Sequence, residues 1–545
     1  MGSRKDSQQK RQNVLMLMLC VFIIIQPFLD IRILFTDARF RIIGITIPTF
    51  VRCVGIFIMF IFLMSLNKTW KELWLEYRGA VFYLVCVGLY FIGHHIVAYN
   101  IDYLPSTYQY SLSKEVFYFI RMILPFVIIF LVRKTKITYD RFMFCIQMVS
   151  FIIGIVIIVT NLLHISETSY ATASQYNQLN FIEWFTKGTQ GYSFEELTSK
   201  GWFFMANQVG ALMLLMLPFN LCDLLKRHTL FGRISTLTLS VSMILLGTRV
   251  ATYGLLGMYF IYLLLIVFFV GIKKEKIAQR GMLTFILLFL IIVGLFWKSP
   301  IKNRIYSYGN VNVVDLEEII CNSENIDSQN DEYEKSNTED VNGEHELIKV
   351  EESNDEHKQL NKEQSDDELG KLNKEEKFIL NNIKNYKISN QYIYEIYPYD
   401  EDTQFWIDFM EENQGAVKNN REIQKMIVNR IDVLNPSMIN KLFGNSYTRF
   451  TSGGLYLEQD VIIHYYTLGL IGVILLLGPW MFYILIACTL IFKEFKNRFT
   501  FINCTYVIGI LACIGCSLFS GHVLDELIVT LILGFTVGSF LKTLN

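Results

Sequence analysis

The stretch RFMFCIQMVSFIIGIVIIVTNLL (141–163) decides the architecture. After Arg141 it carries no charged residue, over a length that suits one bilayer-spanning helix of about 20 apolar residues. Working outward, similar runs lie at 13–31, 42–66, 79–99 and 115–133 on the amino-terminal side. On the carboxyl-terminal side they lie at 202–222, 234–247, 249–271, 281–297, 460–492, 501–520 and 523–541. The fold these runs predict is all-α: a polytopic membrane protein with about 12 transmembrane helices. The composition agrees, with 545 residues, 52% of them hydrophobic, and a mean hydropathy of +0.35. The run at 460–492 is too long for one perpendicular span and is expected to include a lead-in helix. Only the turn around Gly247, Thr248 and Arg249 breaks the seventh run from the eighth, so those two form a tight helical hairpin.

The net charge of −1 says little about partners, but its placement is informative. The N-terminus, alternate short loops and the C-terminus hold about 22 Lys and Arg, against about five in the short loops of the opposite side. The rich set includes Lys68, Lys71 and Arg78, then Lys226, Arg227 and Arg233, then Lys493, Lys496 and Arg498. This bias predicts cytoplasmic termini and an extracytoplasmic position for the segments 164–201 and 298–459. The start, MGSRKDSQQKRQ before an apolar run, has no small-residue cleavage site and is expected to be an uncleaved first helix. The organisation predicted is nine helices in 1–297, a large extracytoplasmic loop at 298–459, and three helices in 460–545.

That loop is uneven. From Asp315 to Lys377 it has 22 acidic residues and seven lysines, a composition expected to stay disordered. Calcium is the alternative partner for so many carboxylates, but no ordered ligand spacing is visible. Residues 378–450 carry helix-like patterns such as TQFWIDFMEE and REIQKMIVNRIDVL, expected to cover the outer membrane face. Of ten cysteines only Cys321 lies in this loop, which excludes a disulfide framework there. Cys513 and Cys516 have CxxC spacing inside an apolar run and read as packing residues.

Charged groups in hydrocarbon cost roughly 2.5–3.5 kcal/mol each, so they need partners or a wet cavity. Arg52, Arg121 and Arg249 fall in or near apolar runs on the predicted outer side, with His94, His95, Asn207, Gln208, Asp525 and Glu526. Arg52 has an available partner in Asp30, and Arg249 could simply cap its turn. The two histidines read as helix-end polar residues rather than metal ligands. Several guanidinium groups facing one leaflet would suit a lipid diphosphate, because Arg binds phosphate oxygens bidentately and keeps its charge.

Five strings, in order, resemble the O-antigen ligase and O-antigen polymerase superfamily. They are GWFFMANQVGALMLLMLPF (201–219), LLGTRVATYGLLG (245–257), NRIDVLNPSMINKLFGNSY (429–447), YLEQDVIIHYYTLGLIG (456–472) and SGHVLDE (520–526). The resemblance covers mainly 200–310 and 425–526; before 200 only the apolar spans correspond. It implies a polytopic inverting glycosyltransferase that draws glycan from polyprenyl (undecaprenyl) diphosphate at the outer face of a bacterial inner membrane. The acceptor would be a glycan or lipid-linked glycan in cell-surface polysaccharide, capsule or exopolysaccharide, assembled with other membrane proteins. No cofactor is expected: there is no P-loop, and the nearest Asp pair, Asp366 and Asp367, lies in the acidic tract.

Carried over residue by residue, the resemblance makes Arg249 and Arg430 the diphosphate clamp, with Arg304 as a third candidate; Arg121 and Arg52 are further diphosphate candidates from their place in the outer-side apolar runs. The family's frequent catalytic His would fall at Glu458, counting back from Gly469. A Glu can serve as base if burial raises its pKa, although neighbouring arginines would lower it. It could equally be a charge partner for Arg249 or Arg430. Asp460 and His464, four apart on one helix face, and His522 are the alternative bases, while Asn207 and Gln208 would line a polar cavity. The missing His favours a polymerase over a terminal ligase. A lipid-linked oligosaccharide flippase is the rival from another class, but it would be expected to show a two-half repeat, which is not visible.

Overall fold

The computed structural model describes residues 2–302 except 33, 35–40, 43–44, 67–69, 102 and 170–174, and then 374–382, 391–412, 420–457 and 459–544. The acidic tract at 315–377 lies outside the described residues except for 374–377, which open a helix. Apart from a two-residue hairpin (Arg41–Ile42 with Ile45–Thr46) and two isolated bridges, the described regular structure is helical.

Nine long helices come first among the described residues: α1 (Gly2–Ile25), α2 (Ile47–Met64), α3 (Trp70–Tyr99), α4 (Leu112–Lys134), α5 (Tyr139–Leu162), α6 (Ala206–Lys226), α7 (Leu230–Leu246), α8 (Arg249–Ile266) and α9 (Gln279–Trp297). Five shorter ones follow: α10 (Lys374–Asn382), α11 (Thr403–Glu412), α12 (Asn420–Leu434), α13 (Met438–Phe443) and α14 (Tyr447–Ser452). Three more long ones close the described residues: α15 (Asp460–Lys493), α16 (Phe501–Phe519) and α17 (Leu527–Leu544). Eleven of these are long and apolar enough to cross a membrane, and α7, apolar but only 17 residues, brings the bundle to the expected twelve.

Helix α6 is the central pillar, buried on all sides, and α17 is nearly as enclosed. Close approach explains α17: a Cβ on Gly534 would stand 2.6 Å from the Pro125 carbonyl of α4, and one on Gly538 2.8 Å from Val132. Small residues at such crossings let backbones pack where lipid offers no hydrophobic drive. By contrast α3 and α9 expose Leu89, Ile92, Leu287 and Leu290, the surface a bilayer would cover.

The described helices between α9 and α15 have a core of their own, in which Trp406, Phe409, Ile423, Ile427 and Ile431 pack with Phe450, Leu455 and Tyr108. The hairpin between α7 and α8 turns on Gly247 (φ 64°), and Thr248 caps α8 by accepting from the Ala251 amide at 3.1 Å. Residues of 164–201 close the hairpin's open carbonyls: the Ser199 amide donates to Leu245 O at 2.8 Å and Ser169 Oγ to Leu246 O at 2.7 Å.

Candidate functional site

Helix α15 is broken at Gly469, where φ 68° and ψ 177° leave the helical region. The break frees carbonyls that would otherwise accept within the helix, and an uncovered carbonyl at membrane depth is costly. The turn after α13 covers them. The Asn445 amide donates to Tyr466 O at 2.8 Å and the Ser446 amide to Thr467 O at 3.0 Å, while Tyr90 Oη donates to Leu468 O. The Leu-Phe-Gly turn is thereby docked into the broken helix.

Glu115, at the start of α4, anchors the same turn from the other side. Its carboxylate accepts from Ser446 Oγ at 2.8 Å, the Tyr447 amide at 3.2 Å and the Thr448 amide at 3.0 Å. His94 Nε2 lies 3.0 Å from Glu115 and its Nδ1 2.6 Å from Phe443 O. Arg449 reaches back to cap α3, donating to Ala98 O and Tyr108 O at 2.8 and 2.9 Å. His95 pairs with Tyr110 Oη at 2.7 Å.

Beside this junction three chain segments converge in a buried polar cluster. Asp460 opens α15 fully buried and accepts from the amides of Val523 (2.9 Å) and Leu524 (2.6 Å). His464, one turn on, faces the Asp460 carbonyl through Nδ1. His522 Nδ1 lies 3.0 Å from Asp525 Oδ2. Arg121 of α4 pairs with Glu526 at 2.8 Å and donates to the Asp525 carbonyl at 2.7 Å. Four buried polar atoms here have no hydrogen-bond partner among the described residues: Tyr118 Oη, His464 Nε2, Ser520 Oγ and Asp525 Oδ1. Such a concentration marks a polar interior with unmet hydrogen-bonding capacity.

The loop electrostatics are set by pairing. Burial opposes charge on His522, but Asp525 beside it pushes its pKa up to about 9. Burial also opposes the charge on Asp525, yet His522 holds that carboxyl well below the usual range. The pair is therefore ionic at neutral pH, with the His522 ring a donor rather than an acceptor.

The expected arginines are dispersed. Arg52 is buried, donating to both oxygens of Asp30 at 2.6 and 2.9 Å and to Gln26 Oε1 at 3.0 Å. Arg430 lies on α12 and forks onto Asp402 at 2.8 and 3.0 Å, with Tyr397 Oη donating to the same carboxylate at 2.8 Å. Although burial works against it, Arg430 and Tyr397 hold Asp402 below the ordinary carboxylate range. Arg249 is exposed at the first turn of α8. Asn207, half-buried, and Gln208, buried, open α6, close to that hairpin through Gly210, whose added Cβ would lie 3.2 Å from Thr248 Oγ1. Glu458 and Arg304 lie outside the described residues.

Of the candidate residues, Asp460, His464, His522 and Arg121 come together, and Arg52, Arg249 and Arg430 stand apart from them in pairings or turns of their own. Sequence reasoning missed Glu115, Tyr118 and Tyr447. The signal for Glu115 was an ionisable group at the first position of an apolar run, which needs a partner. The stacking of Tyr118 on Tyr447, at 3.8 Å and 4°, had no sequence signal.

An apolar helix bundle with a polar cluster buried at the ends of its helices, and a second helical core joined to it by a docked turn, defines a multi-pass membrane protein. The chain belongs to the family of O-antigen ligase like membrane proteins, whose model matches residues 12–545. The match is thus wider than the segments whose motifs carry the resemblance, and it takes in the first five helices. No curated protein matches the chain.

Proposed function

We propose that this protein transfers an oligosaccharide from polyprenyl diphosphate to a glycan acceptor at the extracytoplasmic face of a bacterial inner membrane, as a polymerase in cell-surface polysaccharide assembly. The observation that carries the reading is the family match over nearly the whole chain. The sidedness rests on the basic residues of alternate loops, which leave both termini cytoplasmic and the cluster outward.

The chemistry requires a cationic cradle for the leaving diphosphate and a group that takes the proton of the acceptor hydroxyl. Arg52 is committed to Asp30, and in the buried cluster Arg121 and the protonated His522 are outnumbered by Asp460, Asp525 and Glu526, which makes a poor cradle. Those two arginines are assigned to holding the bundle together. The diphosphate falls to Arg249 and Arg430, with Arg304 as a third contact. Arg249 adds to the positive end of the α8 dipole, which itself favours phosphate. Arg430 would exchange Asp402 for the ligand.

Glu458 is assigned as the base, two residues before α15. His464, with an unmet ring nitrogen, is the next candidate. Asp460 spends its carboxylate on two backbone amides and is assigned to positioning. His522, protonated to about pH 9, would donate to a developing oxyanion rather than accept a proton. Neither nucleotide nor metal is assigned a role.

The test is complementation of a strain lacking the protein with Arg249→Ala, Arg430→Ala and Glu458→Ala, scoring surface polysaccharide against membrane protein level. Each variant should insert normally and lose about a hundredfold or more of polymer. Normal polymer from all three would remove the site assignment.

A further inference from the structure

Beside the docked turn, between the end of α3 and the start of α13, lies a cleft of about 270 Å³ that none of the assigned reaction groups uses. Its polar lining is Asn100, Tyr103, Asn435, Ser437 and Asn440; the remainder is apolar side chain from α3 and the residues after it, and among the described residues no charged one lines it. The lining is braced: Asn440 Nδ2 donates to Tyr103 Oη at 2.8 Å, and Tyr103 Oη donates to Asn445 Oδ1 at 2.6 Å. Asn100 Nδ2 donates to Ile96 O at 2.7 Å, which fixes its amide at the helix end.

Three amides, a phenol and a hydroxyl beside an apolar surface suit an uncharged ligand rich in hydroxyl groups. Amides both donate and accept, as hydroxyls do, and the apolar side matches the C–H face of a pyranose. Among the described residues the lining offers a phosphate no cation, and a lipid chain would leave the amides unsatisfied. The volume is slightly below the range of about 300–1,000 Å³ for drug-sized ligands, which fits one or two sugar rings. The cleft also adjoins the polar cluster along the chain. Six residues after the lining Asn440 the chain reaches Ser446 and Tyr447, which bind Glu115, and Tyr447 stacks on Tyr118, whose ring centroid is 6.4 Å from that of His464.

We propose that this cleft is a glycan subsite, binding one or two neutral sugar rings of a substrate through Asn100, Asn435, Ser437 and Asn440. The proposal rests on the transferase reading and deepens it. The ring can belong to the donor or to the acceptor, and kinetics separate the two.

The experiment uses purified full-length protein, Asn435→Ala/Ser437→Ala, and Asn100→Ala as an independent second variant. Binding is read by saturation-transfer NMR, with the lipid-free glycan released by mild acid from the polyprenyl-diphosphate pool of the producing cells as probe. Transfer is read as separate KM values for lipid-linked donor and for acceptor. The subsite predicts that glycan saturation is lost, one KM rises about tenfold or more, and kcat stays within about twofold, as for binding lost equally from ground and transition states. Asn435→Gln, which keeps an amide, should recover part of the loss. Variants that bind and turn over like the parent overturn the subsite while leaving the transferase standing. A parent that binds glycan through these residues yet makes no product keeps the subsite and removes the transferase. A parent that neither binds nor transfers overturns both.

Discussion

Gly444 and Gly469 lie backbone against backbone: a Cβ on either one would stand 2.5 Å from the other's nitrogen. Both also have φ values, 85° and 68°, that side chains disfavour. Each glycine therefore satisfies two demands at once, in conformation and in space.

Replacing either glycine by Ala is expected to cost about 1–3 kcal/mol in strain, with the clash added. Thermal unfolding of the purified protein in detergent should fall by several degrees, and the polymer yield with it. An unchanged unfolding temperature in both variants would mean that the turn does not dock into the broken helix.

Glu115→Ala removes the acceptor of one hydroxyl, two amides and the His94 ring. Buried donors left unmet cost about 1–3 kcal/mol each. The expected outcome is a larger loss than for Asp140→Ala, whose partly exposed pair with Arg227 is worth about 1 kcal/mol at most. Equal unfolding temperatures for the two variants would show Glu115 to be dispensable.

His522 supplies a pH test. Its folded pKa, about 9, lies above the ordinary 6.5, so its contribution to stability is full below about pH 6.5 and is lost as pH rises through about 9. The groups facing it are Asp525, Asp460 and Glu526. A difference of this size corresponds to stability on the order of 3 kcal/mol. Unfolding temperature measured from pH 6 to pH 10, an interval of roughly four units, should decline in the parent more steeply than in His522→Asn. Parallel curves would contradict the ion pair.

Arg430 and Asp402 can be separated by a double-mutant cycle on transfer rate. If Arg430 serves the diphosphate, Asp402→Asn should retain at least about a tenth of the rate, and Arg430→Ala should lose about a hundredfold or more. Equal losses in both variants would make the pair purely structural.

The bundle was legible because spanning a bilayer imposes length and hydropathy on the chain itself. Leu230–Leu246 came close to escaping, since its 17 residues stop at the Gly247 turn. The Arg52–Asp30 pair was also legible, because two charges stranded at neighbouring span ends have few other partners. Arg121 looked like an anion ligand, but its contacts with Glu526 and the Asp525 carbonyl come from a segment 400 residues away, which no local pattern reveals. The length of 460–492 hinted at a compound helix, but Gly469 as the breaking point depends on the turn at Gly444 that fills it.

The most direct measurement gives purified protein in lipid vesicles its lipid-diphosphate-linked glycan, with neither nucleotide nor added metal, and follows both glycan length and free polyprenyl diphosphate. The account predicts longer glycan and released carrier in equal amounts, with both lost in Arg249→Ala. Glycan lipid that crosses the bilayer unchanged, with no carrier released, would contradict it and favour a flippase.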